Sequence, residues 1–410
     1  MQERSVPAAQ INMSADAKIG TIGPLILPVY IPNLLFATGQ GAIVPILALD
    51  ARQLGASAAV AGIVVAASGL GTVAFDIPAG WVVARLGEEW AGYFAAVLVA
   101  LGVTGALFSK TGFWLALSIF IVACGASVWV LVRLTHVSRV VIPQIRGRAL
   151  SMLGGTVRLG SAIGPLVLVG LAPSTIVRAA FLLYLVCVGL GFALLRHVRE
   201  RVHQTSPARA QSPSHVFKVL RENAKEFSTA GTSAFLICLL RASRQLLLPL
   251  WALHLGFGAA HVSLIFGISA VVDLALFYPS GIISDRFGRW AVAYPCLLLL
   301  ALGHMFLPMT HTFYQMLAVA VLLGIGNGMG SGIVMTLGAD RAPEIGRAEF
   351  LAVWRLVSDT GTAIGPLLCA AIIAFSSLTS ASVAVGVIGF AITGAVFVVR
   401  KNKEFQIPLY

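Results

Sequence analysis

What this chain has little of is charge. Asp, Glu, Lys and Arg make up only 11% of its 410 residues, and just 16 of those are acidic. A soluble protein of this length needs far more charge to cover its surface. Residues 290–339 contain no charged side chain, and neither do residues 360–399. Each run is long enough for two membrane spans of about 20 residues, with divisions near Thr310-His311-Thr312 and Ser376-Ser377-Leu378-Thr379. Cysteine is scarce as well. Cys124, Cys187, Cys238, Cys296 and Cys369 stand singly in apolar stretches, with no metal spacing and no disulfide framework. A Walker loop is absent, which argues against an ATP-driven pump. The eight histidines form no His-x-x-x-His pattern, which argues against an intramembrane metalloenzyme. No catalytic residue, metal or cofactor is expected. Residues 1–20 lack the apolar core of a signal peptide and are expected to be a cytoplasmic tail.

What is present is apolar. The chain is 58% hydrophobic with a mean hydropathy of +0.92. Only helices or closed barrels satisfy the backbone in lipid, and continuous apolar runs exclude the alternating pattern of a barrel. Twelve helices are predicted near 24–49, 58–84, 90–109, 112–138, 149–171, 175–196, 228–255, 260–284, 290–309, 313–338, 347–374 and 379–400.

The chain also repeats itself at a fixed offset of 201 residues. Pro78, Gly80, Arg85 and Gly87 recur as Pro279, Gly281, Arg286 and Gly288. Arg146 and Leu150 recur as Arg347 and Leu351. Gly160-Ser-Ala-Ile-Gly164-Pro165-Leu166 recurs as Gly361-Thr-Ala-Ile-Gly365-Pro366-Leu367. One offset across three separated segments reads as two homologous halves in tandem, the pattern of a transporter built from parallel repeats. The polar stretch 197–227 separates them. Its His203–Ser214 portion reads as a flexible linker, and His215–Phe227 as a basic surface helix.

The net charge of +12 invites a nucleic-acid partner, but its distribution argues otherwise. Of the 28 basic residues, Arg52, Lys110 and Arg178 lie in one set of alternate connections. Arg133, Arg158, Arg241, Arg244 and Arg355 fall inside predicted helices. All the rest lie in the other set or the tails. By the positive-inside rule both termini are cytoplasmic.

Two six-helix halves around a basic central loop resemble the major facilitator superfamily, and within it the bacterial drug and metabolite:proton antiporters. The family's signature after the second helix of each half is Gly-x-x-x-Asp-Arg-x-Gly-Arg-Arg. The second half is similar to it, with Gly281, Asp285, Arg286, Gly288 and Arg289. The first half departs from it: Gly80, Arg85 and Gly87 are kept, but Ala84 replaces the Asp and Glu88 and Glu89 replace the terminal arginines. Gly160, Gly164 and Pro165, with Gly361, Gly365 and Pro366, resemble the family's antiporter motif without its trailing Gly-Gly. Their plainer reading is a tight helix crossing with a kink. The arginine that the family often places in the fourth helix would fall at Ile121 and is absent.

The resemblance implies an all-α integral membrane protein with 12 transmembrane helices, arranged as two six-helix bundles related by a pseudo-two-fold axis along the membrane normal. The bundles would be residues 21–196 and 228–400, with a basic cytoplasmic linker at 197–227 and a tail at 401–410. It implies a multi-pass, monomeric protein of the plasma (inner) membrane whose partners are a small-molecule substrate and the lipid bilayer. The function it implies is secondary transport by alternating access, read as proton-coupled export of a small organic compound. The alternatives are a proton-coupled importer of a small, possibly anionic solute, and a lipid flippase without proton coupling.

Gly80 and Gly281 read as sites of close backbone approach. Asp285 resembles a gate latch working with Arg286 and Arg289, as Arg85 would in the first half; the alternative is an ordinary charged loop. Charged residues inside the spans are costly in lipid and normally face a partner or a wet cavity. At about 1.5 Å per residue, Asp76 lies about 13 Å inside Arg85, and Arg355 about 12 Å inside Arg347. Asp273 lies about 19 Å and Arg158 about 15 Å inside their ends. In the family's fold the second helix faces the eleventh and the fifth faces the eighth. Asp76–Arg355 and Arg158–Asp273 are therefore expected as ion pairs between the halves on the cytoplasmic side, holding an outward-open state. A local Arg355–Asp359 pair competes with the first. Asp76, Asp273 and Asp359 are the proton-coupling candidates, with a purely structural role as the alternative. Gln40, Trp129, Arg133, Arg241, Arg244, Gln245 and Trp251 are the substrate-cavity candidates. Their surplus of arginine would favour an anionic or polar solute; backbone hydrogen bonding by the arginines and packing by the tryptophans are the alternatives.

Overall fold

A computed structural model describes residues 20–172, 175–197, 213–330, 332–344 and 346–404. The tails at 1–19 and 405–410 and the linker stretch 198–212 lie outside the described residues. Every regular element among those described is helical. In chain order they are α1 (Gly23–Gln53), α2 (Ala58–Leu107), α3 (Gly112–Val140), α4 (Pro143–Leu168), α5 (Ile176–His197), α6 (Pro213–Glu222), α7 (Ala224–His254), α8 (Ala259–Phe287), α9 (Trp290–Met309), α10 (Phe313–Met329), α11 (Ile333–Arg341), α12 (Arg347–Phe375) and α13 (Leu378–Glu404). Among the described residues eleven segments are long and apolar enough to cross a membrane, with α10 and α11 counted together.

Eleven rather than twelve reflects α2, whose 50 residues hold the spans expected at 58–84 and 90–109 as two helices that meet at a kink. Only the five residues Arg85-Leu86-Gly87-Glu88-Glu89 separate those stretches. The helix breaks at Gly87, where φ is 77° and ψ is 167°. Glycine enters this region without the Cβ clash that excludes other residues. Its repeat equivalent Gly288, with φ of 86°, ends α8. Two further boundaries differ. Helix α4 starts at Pro143 rather than 149, because proline suits a first turn whose N–H groups have no helical partner. The basic surface helix is Pro213–Glu222 rather than 215–227, and residues from Ala224 onward belong to α7.

The 201-residue repeat extends to the irregularities of the backbone. Helices α1 and α7 each widen into a π turn, at Ile26–Tyr30 and Phe227–Gly231. The turns after them each place a glycine at φ of 80°, Gly55 and Gly256. A Cβ on Gly160 would lie 2.7 Å from both Ala37 Cβ and Thr38 N, and one on Gly361 would lie 3.1 Å from Leu239 N and 3.2 Å from Cys238 Cβ. These partners are themselves 201 apart. The expected glycine and proline motifs therefore sit where α4 crosses α1 and α12 crosses α7. The expectation for Gly80 and Gly281 fails: a Cβ at either would meet nothing within 4 Å, so no backbone approaches them.

Two interfaces join the sequence halves along their length, α2 with α12 and α4 with α8. At the end remote from the basic connections, Val44–Ile46 of α1 touches α7 and α8, and Leu47–Gln53 also touches α7. Large apolar side chains such as Phe108, Phe113, Tyr278 and Phe375 are exposed, as a lipid-facing surface requires.

Candidate functional site

Where α2 meets α12, small residues bring the backbones together. A Cβ on Gly69 would lie 2.6 Å from Ala363 Cα. Two turns further along, this closeness places Asp76 against Arg355. The Arg355 Nη2 to Asp76 Oδ1 distance is 3.0 Å, and Arg355 Nε donates to Asp359 Oδ2 at 3.3 Å. The pair between the halves and the local pair thus coexist, with one guanidinium between two carboxylates. The Asp76 side chain is only 6% exposed. Both its oxygens are buried and accept no hydrogen bond of good geometry among the described residues, so the contact with Arg355 is ionic. The group as a whole carries one negative charge more than it neutralises.

Where α4 meets α8, Arg158 Nη1 donates to Asp273 Oδ1 in a second ion pair. Asn327 on α10 donates to Asp273 Oδ2 at 2.7 Å. Arg241 on α7 donates through Nη2 to the Asn327 carbonyl at 2.9 Å. One turn before Asp273, Ser269 accepts from Arg244 Nη2 at 2.9 Å. One guanidinium, that of Arg158, therefore holds the carboxylate, and those of Arg241 and Arg244 are anchored beside it on the Asn327 backbone and on Ser269. Phe277 lies 5.2 Å from Arg158 and Phe266 lies 5.5 Å from Arg244, measured from ring centroid to Cζ.

The two interfaces are related by the repeat but not in charge. Asp76 and Arg355 map onto Phe277 and Gly154, which face each other across the second interface. Arg158 and Asp273 map onto Asp359 and Thr72. Both ion pairs are present while the far ends of α1 and α7 touch. This corrects the expectation that the pairs mark a state open at that far end. Lying about 12 to 19 Å from the basic ends, in a hydrocarbon layer about 30 Å thick, they sit near mid-depth rather than at either end.

The other candidates are dispersed. Arg133 is buried, lies over the Trp129 ring and donates to the Pro28 carbonyl at 3.1 Å. That carbonyl needs an outside donor because residue 32, four further on, is a proline without an N–H. Trp129 stacks on Phe36, and Trp251 is buried and donates to Thr310 Oγ1 at 2.9 Å. Gln40 is exposed and Gln245 is half-buried beside Arg244. Arg85 lies 3.7 Å from the exposed Trp81 ring, and Arg286 lies against the exposed Phe287. Asp285 is 75% exposed and pairs with Arg289 one turn along. Arg289 also donates to Asp340 at 2.8 Å. The hydrogen bonds to Asp340, first, and to Asp285 raise the guanidinium's pKa above its ordinary value.

Sequence reasoning passed over one arrangement. Glu88 holds Arg139 at 2.7 Å and His136 at 2.9 Å. Glu88 maps by the repeat onto Arg289, and Arg139 onto Asp340. Each half thus carries the same ion pair at the same place with its signs exchanged. The first half's loss of the signature arginines is a charge reversal, and a pairing test at offset 201 would have revealed it.

These features define a helical membrane transporter built on a tandem repeat. The family model of the Major Facilitator Superfamily matches the chain twice, over residues 29–348 and 230–408. The chain belongs to the major facilitator superfamily. Solved structures share the fold. One is a POT family transporter in complex with a thioalcohol-conjugated peptide, at 16% identity over 92% of this chain and 96% of that one, with a TM-score of 0.77. Another is a POT family transporter in complex with 5-aminolevulinic acid, at 15% identity over 91% and 95%, with a TM-score of 0.74. A mutant form of the nucleoside transporter NupG aligns at 12% identity over 91% and 99%, with a TM-score of 0.73. No curated protein sequence matches the chain.

Proposed function

We propose that this transporter couples the movement of protons to the export of a small organic compound across the plasma membrane. It works by alternating access between two six-helix bundles, with both termini in the cytoplasm. The break at Gly87 supports twelve crossings, since the 50 residues of α2 would extend about 75 Å as one straight helix against a hydrocarbon layer of about 30 Å. Export is favoured by the Gly-x-x-x-Gly-Pro sequences of α4 and α12, which resemble those of exporters.

The observation that carries the coupling is Arg355 held between Asp76 and Asp359. Two carboxylates on one guanidinium in a low-dielectric interface leave a net negative charge, which a single proton cancels. Protonating Asp76 removes the ionic contact between α2 and α12 and leaves Arg355 to Asp359 on its own helix. Loading a proton thereby loosens one of the two interfaces on which the halves rock, and releasing it tightens that interface again. A conformational equilibrium shifts only by the differential free energy of the bound ligand, and here the ligand is the proton. The test is transport of a compound panel by proteoliposomes under an imposed pH gradient. Gradient-dependent flux that Asp76→Asn abolishes supports the reading, and flux indifferent to the gradient rejects it.

A further inference from the structure

The charge at the second interface is not balanced. Arg158 pairs with Asp273, while Arg241 and Arg244 lie beside that pair and form no ion pair among the described residues, so the cluster carries a surplus of two positive charges. Arg244 is 8% exposed, and its Nε and that of Arg241 are buried donors with no hydrogen-bond partner among the described residues. Buried polar groups are normally satisfied, and a buried guanidinium with a spare donor is a costly feature unless something else completes it. The arginines do not merely cap helices. They come from α4 and α7: Arg158 and Arg244 reach residues one turn apart on α8 and Arg241 reaches α10, at the interface whose mobility alternating access requires.

The chemistry of the missing partner can be read from what already occupies the site. Asp273 offers a carboxylate, held by a guanidinium on one oxygen and by the Asn327 amide on the other. The donors are thus arranged for a planar, two-oxygen anion. Phe266 and Phe277 add apolar surface beside the guanidiniums.

We propose that Arg158, Arg241 and Arg244 form the substrate site, that the substrate is a small organic carboxylate, and that its carboxylate competes with Asp273 for Arg158. The proposal rests on the reading of the chain as a transporter of a small organic compound and names the class of that compound. It also ties binding to movement. With no substrate, Asp273 holds Arg158 and so holds α8 to α4. A bound carboxylate takes over Arg158, and the ion pair across that interface opens. Substrate and proton then act on the two interfaces separately, substrate on α4–α8 and proton on α2–α12.

The experiment is calorimetric titration of the purified full chain in detergent, at one pH and with no gradient. The probes are benzoate and succinate, each against its uncharged amide, benzamide and succinamide. At least one carboxylate is expected to bind and its amide to bind at least about tenfold more weakly, the loss of one charge-assisted hydrogen bond. Arg244→Gln is expected to weaken that carboxylate's binding by about tenfold or more. Asp273→Asn removes the internal competitor and is expected to tighten carboxylate binding several-fold, a gain that misfolded protein cannot produce. Amides binding as well as the carboxylates, no binding of either carboxylate, or unchanged or weaker binding in Asp273→Asn would each overturn the proposal. Binding without a gradient does not depend on proton coupling. Failure here therefore leaves the coupling reading standing, and gradient-independent transport with carboxylate binding intact does the reverse.

Discussion

Removing Arg355 should be far more damaging than removing Asp76, although the two form one pair. At 3.0 Å, two unit charges attract by about 5 kcal/mol at an effective dielectric of about 20. Desolvation consumes most of that, leaving a coupling of about 1–3 kcal/mol. Arg355→Gln leaves Asp76 and Asp359 facing each other with no cation between them. Breaking a buried pair from one side costs about 3–5 kcal/mol. Asp76→Asn leaves Arg355 with Asp359 and costs about 1 kcal/mol or less. The double variant, with Asp359 alone left charged, should fall between the single ones. Thermal unfolding in detergent can report this cycle through a thiol-reactive dye, because the five cysteines are free and four of them are buried. At about 1.2 °C per kcal/mol for a chain of this length, Arg355→Gln should lower Tm by about 4 to 6 °C, and adding Asp76→Asn should restore part of the loss. Strictly additive shifts, with coupling below about 0.3 kcal/mol, would refute the pair.

The charge-reversed ion pair makes its own prediction. Glu88→Arg sets two cations against each other and should destabilise by about 2–4 kcal/mol, and adding Arg139→Asp should recover most of that by copying the Arg289–Asp340 pair. Gly69 and Gly80, both on α2, should differ sharply. Gly69→Val, at the contact with Ala363, should cost at least about 1–3 kcal/mol through overpacking. Gly80→Ala, in open space, should be neutral or stabilising by up to about 1 kcal/mol. The same unfolding assay reads all four variants.

Much of this was legible because membrane burial writes itself into composition. Charge-free runs gave the spans, and the offset of 201 gave two homologous halves. The structure carries that repeat into the π turns of α1 and α7, into Gly55 and Gly256, and into the partners of Gly160 and Gly361. The depths of Asp76, Arg158, Asp273 and Arg355 placed opposite charges level with one another. Other features were hidden for physical reasons. Residue identity is blind to exchanged charges, so Glu88–Arg139 looked like decay of a motif that the pair Arg289–Asp340 still serves. Arg133 looked like a cavity residue because nothing local shows that Pro32 strips the Pro28 carbonyl of its helical donor. The separation of the two spans within α2 rests on the backbone conformation of one residue, Gly87. The distance of the ion pairs from the basic ends was readable, but the contact of α1 with α7 at the far end was not, since it is a property of the assembled helices.

The central claim is that a proton on the Asp76–Arg355–Asp359 group drives transport. Its most direct test compares the wild-type chain with Asp76→Asn in proteoliposomes holding radiolabelled succinate, with and without a pH gradient. The account predicts that a gradient drives wild-type flux uphill, and that Asp76→Asn keeps exchange down a concentration gradient while losing the uphill component. Uphill flux that survives unchanged in Asp76→Asn would contradict it.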